Sequence, residues 1–172
     1  MSRNLRKWIA LICAILLYYI VHEGAHAIAA LLMGTFQRIR IMSFGLGIQV
    51  VADIPVMSNL QIFIFCIVGA IATLIMGYVL VLKKQAILNS NNKVFRAIAY
   101  YTTLVFLMLD PIYLSLLHNF VGGGDMNGII QMGISALLVS IVFLLIGGFN
   151  LFIIIKYVYR DYKNAFMSGT RH

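Results

Sequence analysis

Acid is what this sequence has least of. One glutamate and four aspartates stand against 13 lysines and arginines, and charged residues of both signs fill only 10% of 172 positions. A soluble domain carries about a quarter. Hydrophobic residues reach 62% and mean hydropathy is +0.97, which excludes an ordinary water-soluble domain and points to one compact membrane bundle. Cysteine is scarce too. Cys13 and Cys66 both lie in apolar runs without CxxC spacing, which excludes a zinc knuckle or a disulfide framework. The net charge of +8 is not gathered into a phosphate-binding face. It sits in short clusters beside apolar segments, so it orients a membrane protein and gives no reason to expect nucleic acid. Neither a cleavable signal peptide nor an internal repeat nor a low-complexity tract is expected.

What is present is long apolar sequence. Four segments, 8–33, 60–82, 97–117 and 129–157, are each long enough to cross a hydrocarbon core about 30 Å thick. The 13 basic residues divide unevenly over the connections. Arg3, Arg6 and Lys7 precede the first segment, and Lys83, Lys84, Lys93 and Arg96 lie between the second and third. Lys156, Arg160, Lys163 and Arg171 close the chain, against only Arg38 and Arg40 elsewhere: 11 against 2. That asymmetry predicts both termini in the cytoplasm. The connection 36–51 alternates Arg38, Ile39, Arg40 and Ile41 before a Gly45–Gly47 turn, the pattern of a β-hairpin at the outer surface. Its edge is open to pairing with an extended peptide, or it is a structural flap. The tail 158–172 is polar and is expected to fray. The expected fold is therefore an all-α polytopic membrane protein, residues 1–172 forming a single transmembrane domain of about four helices with a small β-hairpin after the first.

Inside the first segment stands "YIVHEGAHAIAALLMG", which carries the chain's one glutamate and two of its four histidines. Titratable groups in hydrocarbon are costly, and idle ones are rare. His22 and His26 are four apart, so on a helix they share a face and can hold one metal ion, and Glu23 beside them can act as general base toward an attacking water. Gly24 and Ala25 leave room for a substrate. Farther on, Gly69, Thr73 and Gly77 repeat every four residues, a spacing that favours close helix packing over any catalytic role.

A hydrolytic zinc site takes a third protein ligand and leaves a fourth position to water. The absences narrow that choice. No second glutamate exists to complete a thermolysin-like set, and Ala29 and Leu32 stand where a metzincin needs glycine and histidine. Asp161 and His172 belong to the tail, and Asp53 lies in the hairpin loop without apolar context. Of what remains, His118, Asp110 and Asp125, the two aspartates are the serious candidates. Asp125, in "GGGDMNGII", follows glycines that permit an irregular path and stands where a helix cap would. Asp110, in "LMLDPIY", is level with His22 by helix rise, and it suits either ligation or the orienting of a ligand histidine. Depth counts against Asp125: 129–156 spans about 40 Å as a straight helix, and tilt, or a bend at Gly133, Gly147 or Gly148, would bring it back.

"HEGAH", the hairpin-like loop behind it, "GAIAT" in the second segment and an aspartate opening a late helix together resemble the site-2 protease family of intramembrane zinc metalloproteases. The resemblance implies Zn2+ held by His22, His26 and Asp125, with Glu23 activating water and Asp110 left as orienting group or alternative ligand. It implies a protease that cuts membrane-anchored protein substrates in or beside their spanning segments. Ala70 stands where the family often has proline, and Thr73 where asparagine is common. The alternative expectation is a catalytically inactive metal-binding membrane scaffold or interaction protein. His118, Asn119 and Asn127 are candidates for stabilising an oxyanion.

Overall fold

The computed structural model describes residues 2–41, 47–121 and 124–168. The Ser2 hydroxyl accepts from the Leu5 amide at 3.2 Å and opens α1 (Arg3–Leu32), which ends where Gly34 takes a left-handed φ of 69°. That turn throws the chain back into an antiparallel pair, β1 (Phe36–Ile41) and β2 (Ile48–Ala52), with Ile39 opposite Val50 and Arg40 opposite Gln49. The expected hairpin is present. The Gly45–Gly47 turn falls largely at 42–46, outside the described residues.

A capping box between Ser58 and Gln61 starts α2 (Asn59–Leu82), and the short α3 (Lys84–Leu88) follows. The Asn92 side chain accepts from the Val94 and Phe95 amides at the head of α4 (Lys93–Ile112). This helix runs on through a π-helical stretch, Tyr113–Leu117, into α5 (His118–Val121). Then come α6 (Gly124–Gln131), α7 (Ala136–Ile153), a second π-helical stretch at Ile154–Tyr159, and α8 (Arg160–Ser168). Four helical runs, Asn4–Leu32, Asn59–Leu82, Lys93–Phe120 and Ala136–Phe166, are long and apolar enough to cross a membrane. Large side chains such as Trp8, Leu32, Leu137 and Leu145 are exposed on their outer faces, where lipid is the matching solvent. The chain is built as a multi-pass membrane protein.

Two boundaries differ from the sequence expectation. The segment 129–157 is not one helix. Gly133 takes a φ of 79° and cuts it, so α6 is a separate short helix and the fourth crossing begins at Ala136. Apolar composition continues across the break, and one glycine with a positive φ stops the helix without interrupting that run. The tail does not fray at Tyr157 either. It stays helical to Ser168 because Tyr162, 1% exposed, docks its ring 5.2 Å from that of Tyr100, and Lys84 reaches Asp161 at 2.7 Å. These contacts bring the three basic connections to one end of the bundle, opposite the hairpin.

Pro111, inside α4, has no amide to offer the Leu107 carbonyl one turn back. Asn150 of α7 supplies one, its Nδ2 donating to that carbonyl at 2.6 Å while its Oδ1 accepts from the Tyr78 hydroxyl at 2.6 Å. Asn150 is fully buried, so α2, α4 and α7 are pinned through one amide in mid-bundle.

Candidate metal centre

One helical turn on α1 places His22 above His26, their ring centroids 4.9 Å apart and both rings buried. Their Nε2 atoms face each other at 3.2 Å. Asp125, at the head of α6, reaches in from the other side. Its Oδ2 lies 3.4 Å from His22 Nε2 and its Oδ1 3.7 Å from His26 Nε2. Two contacts made by glycines seat these donors. Gly128 lies so close to Cys66 that a Cβ there would collide with the Sγ, and α6 thereby rests directly on α2. Gly69 of α2 faces the histidines, and a Cβ there would stand 2.6 Å from His26 Nε2 and 2.8 Å from His22 Nε2. The small-residue repeat read from sequence as packing is packing, and its first member also makes room for the imidazoles.

The donors fit a zinc ion. One atom each from His22, His26 and Asp125 lies within 4.8 Å of the others. Tetrahedral zinc with bonds of about 2.0–2.1 Å separates its ligand atoms by roughly 3.3 Å; the two Nε2 atoms are 3.2 Å apart, and each has a different Asp125 oxygen near it, Oδ2 at 3.4 Å from His22 and Oδ1 at 3.7 Å from His26. The rear of His22 favours a proton on Nδ1. Its Nδ1 lies 3.2 Å from Asp110 Oδ1 and 3.2 Å from the Tyr18 hydroxyl. A proton on Nδ1, directed at the carboxylate, leaves the Nε2 lone pair facing His26 and Asp125, which is the tautomer a metal requires. Asp110 is held in turn by the Tyr18 hydroxyl, which donates at 2.6 Å, and by the Thr73 hydroxyl, which donates to its other oxygen. Asp110 is 1% exposed and touches His22 on the side away from the donor cluster.

No protein-family model, curated protein or solved structure matches this chain.

The surroundings of the three donors complete the site. Glu23 follows His22 on α1, half-buried, and its Oε2 accepts a 2.8 Å hydrogen bond from the Val50 amide of β2. That amide is turned away from β1, so the outer edge of β2 faces the cluster. Asp53 stays with the hairpin, its amide bonded to the Thr35 carbonyl at 2.8 Å, and Asp161 is paired with Lys84. His172 lies outside the described residues. Asn119 and Asn127 are exposed, and His118 is buried with its Nδ1 unpaired among the described residues. Sequence reasoning missed Tyr18 and the polar role of Thr73. Tyr18 was findable: it lies one turn before His22 on the same face, its ring stacked on the imidazole at 5.1 Å.

Proposed function

We propose that this protein is an intramembrane zinc metalloprotease that hydrolyses peptide bonds of membrane-anchored protein substrates. The observation that carries the reading is the convergence of His22 Nε2, His26 Nε2 and the Asp125 carboxylate next to a glutamate that is not one of the donors. Metal storage or scaffolding needs the three donors and does not require Glu23 to bind the ion. The resemblance to site-2 proteases supports the same assignment.

A zinc ion held by His22, His26 and Asp125 would supply Lewis acidity toward an amide carbonyl and would lower the pKa of water at the site. Glu23 takes a proton from that water and later delivers it to the departing amine nitrogen. Asp110, braced by Tyr18 and Thr73, keeps His22 in its ligand tautomer throughout. A substrate helix hides its carbonyls in its own hydrogen bonds and must unwind before it can react. The outward edge of β2 offers an unwound segment a backbone partner beside Glu23, and a strand that pairs there takes over the Val50 amide and releases the carboxylate. The 11-to-2 division of basic residues supports an orientation with both termini in the cytoplasm and the centre in the outer half of the bilayer. α1 continues about 15 Å past His22 before ending at Leu32.

The test is co-expression with tagged single-span proteins, comparing the native chain with Glu23→Gln. The expected result is a shortened product that appears only with Glu23. Equal processing by both forms would remove the hydrolytic reading. Reporter fusions after Lys84 and Lys163 should read cytoplasmic and one at 43–47 external; a cytoplasmic signal at 43–47 inverts the orientation.

A further inference from the structure

At the basic end of the bundle, remote from the metal centre, two arginines share one aromatic ring. Arg6 of α1 and Arg96 of α4 hold their guanidinium carbons 5.9 and 5.7 Å from the centre of the Phe166 ring on α8. Stacking of this kind positions a guanidinium while leaving its N–H donors free to point elsewhere. Among the described residues no carboxylate answers them. Asp161, on the same helix as Phe166, is paired with Lys84 at 2.7 Å. The Nε of Arg96 is buried without a hydrogen-bond partner among the described residues, and so is the hydroxyl of Tyr162, a residue 1% exposed. The Tyr162 and Phe166 rings lie one turn apart on α8, 6.3 Å between centroids.

Buried donors are rarely left unmet in a native structure, and like charges gathered around one ring repel. Both conditions are relieved by an anion with several acceptor oxygens. We propose that Arg6, Arg96 and Tyr162 form a phosphate site, occupied by the headgroup phosphate of an anionic phospholipid. Guanidinium forks match phosphate oxygens in pairs, and a phenol hydroxyl supplies one further donor. The location favours a lipid source. All three residues sit at an end of membrane-crossing helices, where the headgroups of one leaflet lie, and basic residues near an anionic leaflet are drawn to it. The lipid then ties α8 to α1 and α4, joining the chain's last described helix to its first.

The experiment is native mass spectrometry of the full chain released from neutral detergent, with phosphatidylglycerol, phosphatidylcholine and inorganic phosphate titrated in separate arms. Phosphatidylglycerol is expected to be retained at least about tenfold more tightly than phosphatidylcholine, from two arginines at the leaflet surface. The preference should vanish in Arg6→Gln/Arg96→Gln, weaken in Tyr162→Phe, and persist in Lys163→Gln, an exposed charge on the same helix. Equal retention of the two lipids by the native chain, or a preference that survives loss of both arginines, overturns the site. Competition by inorganic phosphate at comparable concentration keeps the phosphate chemistry and overturns the lipid as its source.

Discussion

Two of the polar clusters among the described residues, one around Asn150 and one around His22, differ in whether their hydrogen bonds close. Around Asn150 every partner matches: a hydroxyl donates to the amide oxygen, and the amide nitrogen donates to the carbonyl that Pro111 left unpaired. Around His22 the rear matches equally well, with Tyr18, Thr73 and Nδ1 all directed at Asp110. The front does not. With the His22 proton on Nδ1, its Nε2 lone pair is turned toward His26 Nε2 and the Asp125 carboxylate, at separations of 3.2 to 3.7 Å. A closed cluster holds helices together. An open one gathers lone pairs that a cation would reconcile.

That distinction can be broken by substitution. The largest effect is expected from His22→Ala, His26→Ala and Asp125→Ala, each of which removes one of three donors and should take bound zinc from about one per chain to near none. Glu23→Gln should leave the zinc in place and lower hydrolysis by about 10²–10⁴-fold, since it removes a base and no ligand. Metal analysis of the purified variants separates the two groups, and zinc lost in Glu23→Gln would contradict that division between base and ligands. Gly69→Ala comes next. The added Cβ meets both Nε2 atoms, and zinc should fall well below one per chain although no donor has changed.

Smaller effects test the closed sides. Asp110→Asn keeps the volume but loses the charge that orients His22, and zinc affinity measured by chelator competition should fall about 10–100-fold. Full loss of zinc in that variant, with Asp125→Ala still loaded, would exchange the roles of the two aspartates. Smallest is Asn150→Leu, which leaves the Leu107 carbonyl and the Tyr78 hydroxyl unpaired and should destabilise the bundle by about 1–2 kcal/mol. Its zinc content should equal that of the native chain. A matching loss of metal there would mean that the two clusters are coupled through α4.

The sequence made one half of the candidate site legible because that half is local. His22, Glu23 and His26 lie on adjacent turns of a single helix, so spacing alone brings them together. Asp125 arrives from a helix about a hundred residues away, and no periodicity reports where a short helix between two crossings will lie. The depth problem that counted against it disappears at Gly133, which ends α6 before the fourth crossing begins. Four spans and a hairpin were readable because membrane thickness and strand alternation impose their periods on composition. The helical tail was not. It depends on Tyr162 and Phe166 meeting α1 and α4, contacts between remote residues in a segment whose own composition is polar.

The placement of Asp125 on α6 also fixes an order in time. A chain emerging from the ribosome inserts α1 first, with His22, Glu23 and His26 already in register, yet it has nothing to complete them. The third candidate donor is synthesised only after α2 and α4, on a helix whose Gly128 rests against Cys66. A partly made protein would thus carry Glu23 and two imidazoles without Asp125, and on the proposed reading hydrolysis would wait on assembly. Ribosome-stalled chains ending at Phe120 should accordingly be inert, and the release of later residues should switch on zinc retention in a single step.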